Sequence, residues 1–236
     1  MKTAEAVKKG VSIFSMQVYA PEEAVELLRR VESRPGRSSN NKLAGKAGSR
    51  TWRAGSFKGM PLYQLSLEER ATCPSTCGAW NICYGNNMPF ASRINPLRKP
   101  QVLFDRLSYE LDGLDKKHPE GYSVRLHVLG DFFSVEYVRF WERQLEERPA
   151  LNIYGYTHRI DEIGDEIERV WFRFQARFNV LQSDSTKYAM PSAFIEGHPE
   201  AADAVICPEQ TEKADGCLDC GLCTVPRFKG VQFLVH

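Results

Sequence analysis

The sequence predicts an α/β protein, built as a partial (β/α) barrel or an open parallel sheet, with cysteine-rich loops that bind metal clusters. Three observations predict it. From residue 60 onward, short apolar runs alternate with amphipathic helical stretches, which is the pattern of βα units on a parallel sheet. All seven cysteines fall in two groups, at 73–83 and 207–223. No apolar run approaches the roughly 18 residues that span a bilayer, so no membrane partner is expected.

The elements follow in order. PEEAVELLRRV (21–31) reads as a helix, with Pro21 at its start, acids in the first turn, and Arg29 and Arg30 in the last. The stretch that follows, to residue 59, is rich in Gly, Ser, Asn and base. A loop that long is functional or disordered. MPLYQLSL (60–67) suits a strand, and Asn95-Pro96 opens a helix to about Lys117. Strands are expected at 123–130, 151–157, 178–185, 203–207 and 231–235, and helices at 134–148 and 161–174. The chain divides into an N-terminal helix with a basic loop (1–59), a βα core with the first cysteine group (60–200), and a C-terminal cysteine-rich segment packed on that core (201–236).

The N-terminus lacks a long apolar stretch ending in small residues, so no secretory signal is read. A cytoplasmic, reducing location is expected, where cysteines serve metals or catalysis more often than disulfides. Charge is segregated. Between Ser33 and Phe104 stand eleven Lys/Arg and two acids, Glu68 and Glu69, in a chain whose total is only +1. Such a segment suits either a polyanionic partner or a solvated basic loop.

The first cysteine group is Cys73, Cys77 and Cys83, spaced C-x3-C-x5-C. The second is Cys207, Cys217, Cys220 and Cys223, ending in a C-x2-C-x2-C run. That run resembles bacterial ferredoxin ligation of a [4Fe–4S] cube. Zinc is the alternative, above all at the C-terminal cysteines. Three thiolates cannot saturate a four-iron cube, so the first group would leave one iron open while the second fills its own centre. The spacing also permits Cys207 to join the first group, leaving Cys217, Cys220 and Cys223 with the open centre.

Three cysteines in a loop after a strand, Tyr84 directly after the last of them, and βα units behind resemble the radical S-adenosylmethionine enzymes. The resemblance implies a partial (β/α) barrel and a cluster whose open iron takes S-adenosylmethionine and cleaves it to a 5′-deoxyadenosyl radical. The superfamily's glycine-rich motif is matched by Gly130-Asp131-Phe132-Phe133-Ser134. Gly130, Asp131, Tyr84 and Ser183 are then the implied cofactor contacts. More closely, CPSTCGAWNICYGN, HVLGDFFS and the late C-x2-C-x2-C resemble the phage- and plasmid-borne gene product eighty-eight family. That resemblance implies a mobile-element protein acting near nucleic acid.

Chemistry in α/β folds gathers at the carboxyl ends of the strands, and here those ends are polar. Asp131 either orients a ligand amine or satisfies loop backbone groups. His158, just beyond a strand, is the acid/base candidate, whereas His127 reads as a hydrogen-bonded core residue and Ser134 as a helix N-cap. Trp80, Tyr84 and Phe90 either stack on bases or cover a cluster, Tyr84 being assigned to the cluster. Trp141, Trp171 and Phe172 read as core. The resulting expectation is an iron–sulfur enzyme acting on a nucleotide or nucleic acid, with Asp131 and His158 catalytic. Arg50, Arg53 and Lys58 would grip the nucleic acid. The alternative is a nucleic-acid-binding protein stabilised by zinc or an inert cluster.

Overall fold

The computed structural model describes residues 18–19, 51–87, 93–226 and 228–235. The expected helix at 21–31, the basic stretch 34–50 with Arg50, and Phe90 lie outside the described residues. The chain forms β1 (Leu62–Leu65), then a one-turn helix α1 (Glu69–Thr72) that runs directly into Cys73. Helix α2 (Pro100–Lys117) starts on a proline, where the missing N–H has no intrahelical partner to lose, and ends on Lys116 and Lys117. Leu103, Leu107, Leu111 and Leu114 recur at steps of three and four and are all buried, the stripe of a helix laid on a core.

Strand β2 (Tyr122–Leu126) leads to α3 (Val135–Glu147), where Ser134 Oγ accepts the Tyr137 N–H at 3.2 Å as the N-cap. Then come β3 (Leu151–Thr157), α4 (Ile160–Arg173), β4 (Phe178–Ser183), β5 (Ser192–Ile195) and β6 (Val205–Ile206). A one-turn helix α5 (Cys217–Cys220) and β7 (Gly230–Phe233) follow. The strands form one open seven-stranded sheet in the order β1-β2-β3-β4-β5-β7-β6. All its pairs are parallel. Separately, Val18–Tyr19 pairs with Arg93–Ile94.

Strands β1 to β4 are consecutive neighbours, so right-handed crossovers lay α2, α3 and α4 on one face of the sheet. The main core lies there, built on Leu65, Val124, Leu126, Leu151, Ile153, Phe178 and Val180 against Phe104, Tyr137, Trp141 and Trp171. Each such large side chain contributes about 1.5–3 kcal/mol by leaving water. The alternate strand positions face the other way. Leu62 and Tyr154 meet Trp52, Phe57 and Leu218, and Leu181 meets Cys207 and Val231. The face free of helices therefore takes the segment after Thr51 and the C-terminal cysteine region, and it leaves room for a cavity.

Two expectations are corrected. Strand β5 was not anticipated, and Phe172, expected in the core, is 54% exposed. Phe172 follows Trp171 on α4, and the buried stripe there runs through Ile167, Val170 and Trp171, so the next residue turns outward.

Candidate functional site

A cavity of about 430 Å³ opens at the carboxyl ends of the strands, on the face without helices. Cys73, Cys77 and Cys83 border it on one side, and Cys207 and Cys217 on the other. Arg125 of β2, Tyr154 and Tyr156 of β3 and Ser183 of β4 also line it. The fold thus brings both cysteine groups to one space, although more than a hundred residues of chain separate them.

The first group is held by a clamp. Cys73 N–H donates to Glu69 O at 3.0 Å. Arg93 Nε donates to Glu69 Oε2 at 2.8 Å, and Arg93 Nη2 donates to Gly85 O at 2.9 Å. Both side chains are buried, at 0% and 4% exposure. The ion pair therefore joins the helix just before Cys73 to the turn just after Cys83. Outside it, Arg70 lies 4.3 Å from the Trp80 ring centroid and donates to Asn86 Oδ1 at 2.7 Å.

The second group is tied to the segment after Thr51. Arg53 N–H donates to Leu218 O at 2.8 Å, and Ser56 N–H donates to Thr224 Oγ1 at 2.9 Å. The Arg53 guanidinium forms a bidentate pair with Asp219. Gly221 has φ +63°, and a Cβ there would fall 2.4 Å from Ala54 O. Only glycine allows this left-handed turn and the close backbone approach together. Tyr156 lies beside Cys223 and favours its thiolate, against the larger effect of burial.

All seven cysteines are free thiols. Burial pushes Cys73, Cys83 and Cys207 up, Cys77 and Cys217 to about 11, and Cys223 to about 12. Neighbouring thiols add to this. Cys73 feels Cys77 and Cys83, while Cys217 and Cys223 each feel Cys207 and Cys220. These couplings run within each group, three thiols on one side and four on the other. Among the described residues, no set of three or more His, Cys, Asp or Glu converges closely enough to hold a metal ion as the side chains stand.

Asp131 lines the cavity, yet its oxygens are engaged. Oδ1 accepts from Phe132 N and Thr157 Oγ1, both at 2.7 Å, and Oδ2 accepts from His158 N at 2.7 Å. Its own N–H donates to Thr72 Oγ1 at 3.1 Å. Burial still raises its pKa to about 7. Of the two roles expected for it, satisfying loop backbone is the one its contacts display. Gly130 beside it has φ +88°, and a Cβ there would sit 2.6 Å from Leu67 Cβ.

His158 reaches the cavity rim with Nε2 3.6 Å from Asp184 Oδ2 and 3.5 Å from Gly78 N. Burial lowers its pKa, while Asp184 opposes the shift. His127 is buried with Nε2 2.9 Å from Tyr137 Oη, and burial drops its pKa to about 3. It is the core histidine expected, with one edge on the cavity.

Of the residues expected to meet nucleic acid, Arg53 is paired with Asp219, Lys58 is exposed, and Arg50 lies outside the described residues. Tyr84 opens a 3₁₀ turn, Tyr84–Asn87, and its side chain lies outside the described part. Sequence reasoning missed Arg125, Tyr156 and the Glu69–Arg93 pair, while Asp184 falls within the polar strand end 183–185. One signal was present. In YSVRL the apolar residues alternate, so a period of two sets Arg125 on the face opposite Val124 and Leu126.

Fold and cavity together define a class, an open parallel α/β protein with two thiol groups facing one cavity at the carboxyl ends of its strands. The chain belongs to the Gene product 88 family, which matches residues 27–226. It is 29% identical to the Gene 88 protein of Mycobacterium phage L5 over 124 residues, covering 42% of this chain and 49% of that protein. The chain thus spans about half the length of the curated relative it matches. No solved structure matches it. Among the described residues, no helix is long and apolar enough to cross a membrane.

Proposed function

We propose that this chain is an iron–sulfur enzyme of the radical S-adenosylmethionine type, acting on a nucleotide or nucleic acid. One observation carries the reading: two groups of free thiols meet a single cavity where an α/β fold does its chemistry, the first through Cys73, Cys77 and Cys83 and the second through Cys207 and Cys217. The donor set fits soft iron or zinc. Buried thiols that raise one another's pKa are stabilised as thiolates by a cation among them.

Cys73, Cys77 and Cys83 would hold one [4Fe–4S] cluster. Cys207, Cys217, Cys220 and Cys223 would hold a second. When bound, a cluster with only three protein thiolates supplies an open iron and one-electron reduction to S-adenosylmethionine. The remaining tasks fall to the chain's own side chains. Gly130 and Ser183 border the space such a cofactor would occupy. Asp131 positions the β2 and β3 ends around it. His158, its pKa lowered by burial, would take up a proton at Nε2 on the rim.

A structural zinc is the alternative occupant of the second group. The backbone stitching of residues 53–56 onto 218–224 favours a centre that holds structure there, as in the binding-protein reading. Electron paramagnetic resonance of the reduced, anaerobically prepared protein separates the two. S-adenosylmethionine should perturb the spectrum, Cys83→Ala should abolish the perturbation, and Cys220→Ala should leave it. A spectrum indifferent to S-adenosylmethionine, or a colourless zinc protein, overturns the enzyme reading.

A further inference from the structure

His158 and Asp184 stand at the carboxyl ends of neighbouring strands. His158 follows β3, Asp184 follows β4, and both line the cavity. Each is fixed from behind. The His158 N–H donates to Asp131 Oδ2 at 2.7 Å. Asp184 is pinned to β5 twice, its N–H donating to Ala193 O at 2.8 Å and its Oδ1 accepting the Ile195 N–H at 2.9 Å. With Oδ1 so engaged, Oδ2 is the oxygen nearest His158, 3.6 Å from Nε2. The two side chains are 19% and 13% exposed, so solvent screens their charges only in part.

Asp184 holds φ +49°, a left-handed conformation that glycine takes freely and an aspartate only tolerates. Outliers of this kind gather where a side chain has work to do. The turn after Cys77 packs on the pair through Gly78. Its N–H donates to His158 Nε2 at 3.5 Å, and a Cβ there would fall 3.2 Å from Asp184 Oδ2. Nε2 thus lies between a donor and an acceptor. The lone pair of the neutral ring suits the Gly78 N–H, and the N–H of the protonated ring suits Asp184 Oδ2. Burial lowers the His158 pKa and His198 adds to that, while Asp184 acts against both. Other charged groups nearby are turned elsewhere. The Arg159 guanidinium donates to Thr72 O at 2.6 and 3.0 Å, and Lys187 Nζ lies 3.3 Å from Asp161.

We propose that Asp184 is the positioning residue for His158, orienting its ring at the cavity rim and facing the imidazolium, so that the two act as one acid–base pair. When a ligand X–H bond breaks, its electron pair stays on X and the proton bonds to the Nε2 lone pair. The Gly78 N–H then loses its acceptor, and the positive charge forms beside the Asp184 carboxylate. Return of the proton to the ligand reverses each change. Proton transfer at the rim is thereby coupled to the turn that carries Cys77. The proposal rests on the reading of His158 as the group that takes up a proton here, and not on which metal the thiols hold.

Exchange of the imidazole Cε1–H for deuterium, followed for each histidine by peptide mass spectrometry across pH, gives every ring's titration midpoint without turnover. The full-length protein is used as purified, with metal content and melting temperature assayed alongside. Asp184→Asn keeps an acceptor for the Ile195 N–H and tolerates the left-handed φ, so it removes the charge alone. A carboxylate favours the imidazolium beside it, so its loss should shift the His158 midpoint to lower pH. His118, held by Tyr63 Oη at 2.7 Å at the other end of the strands, should not move. Asp184→Glu, which keeps the charge, should leave the His158 midpoint nearer the parent's than Asp184→Asn does. A His158 midpoint that stays or rises in Asp184→Asn overturns the proposal. So does a single midpoint shared by the Asn and Glu variants, since packing and not charge would then set it. A parent without metal that still shows the Asp184-dependent midpoint would sink the cluster reading and leave the pair standing.

Discussion

Replacing Arg93 with Met tests the clamp around the first cysteine group. The substitution keeps much of the apolar volume but leaves the Glu69 carboxyl without its cation and the Gly85 carbonyl without its donor. Both partners are buried, and the contacts are 2.8 and 2.9 Å. Breaking a buried ion pair from one side costs about 3–5 kcal/mol, and an orphaned buried carbonyl adds about 1–3 kcal/mol. Relaxation of the surrounding loop recovers part of this, so a net loss of about 4 kcal/mol is expected. In a chain of this size each kcal/mol moves the melting temperature by about 2–4 °C, giving a drop of roughly 8–16 °C. The assay is a double-mutant cycle by thermal and urea unfolding, with Arg93→Met, Glu69→Gln and the double variant. The double variant should recover part of the single losses, because the two groups are coupled. Alkylation of Cys83 by iodoacetamide should quicken in Arg93→Met more than alkylation of Cys207. A melting temperature within about 1 °C of the parent, or strictly additive losses, would refute the clamp.

Three further outcomes follow from the same geometry. Burial lifts Glu68 from 4.5 to about 7, so its folded form holds a proton more tightly than its unfolded form. That contribution is fully present below pH 4.5 and is lost as pH rises through 7, by about 3 kcal/mol at most. Glu68→Gln should flatten the urea midpoint between pH 5 and 8, and an unchanged pH dependence would be a failure. Gly221→Ala should push residues 54–56 off the C-terminal loop, lower the melting temperature and expose that segment to protease, while Cys73, Cys77 and Cys83 keep their environment; unaltered proteolysis would count against it. If the basic segment binds nucleic acid, alanine at Arg50, Arg53 and Lys58 should cut the salt slope by about 2, not 3, because Asp219 already engages Arg53. A slope unchanged by Arg50→Ala and Lys58→Ala would remove these residues from the interface.

The repeating βα pattern was legible because period and length separate strand from helix over 120 residues and more. The strand at 151–157 coincides with β3, and Ser134 caps α3 as its hydroxyl and position suggest. Strand β5 was not legible. Its four residues stand between Pro191 and Gly197, and pairing with β4 and β7 fixes them, not their own periodicity. The insertion of β7 between β5 and β6 is likewise a matter of long-range pairing that local pattern does not carry. At the site, spacing picked out the cysteines, the polar strand ends and His158. It could not show that the two thiol groups share a cavity, since that depends on strand order. The Glu69–Arg93 pair was hidden for a similar reason. Adjacent acids and a distant arginine look like surface charges until α1 and residues 93–94 pack together.

Metal analysis of anaerobically purified protein, in the parent and in two group variants, bears most directly on the account. The parent should contain iron and acid-labile sulfide, and be brown. Cys73→Ala/Cys77→Ala/Cys83→Ala and Cys217→Ala/Cys220→Ala/Cys223→Ala should each remove one centre and spare the other, as the separate couplings of three and four thiols require. A parent without metal and with seven titratable thiols, or one centre lost in both variants at once, would contradict it.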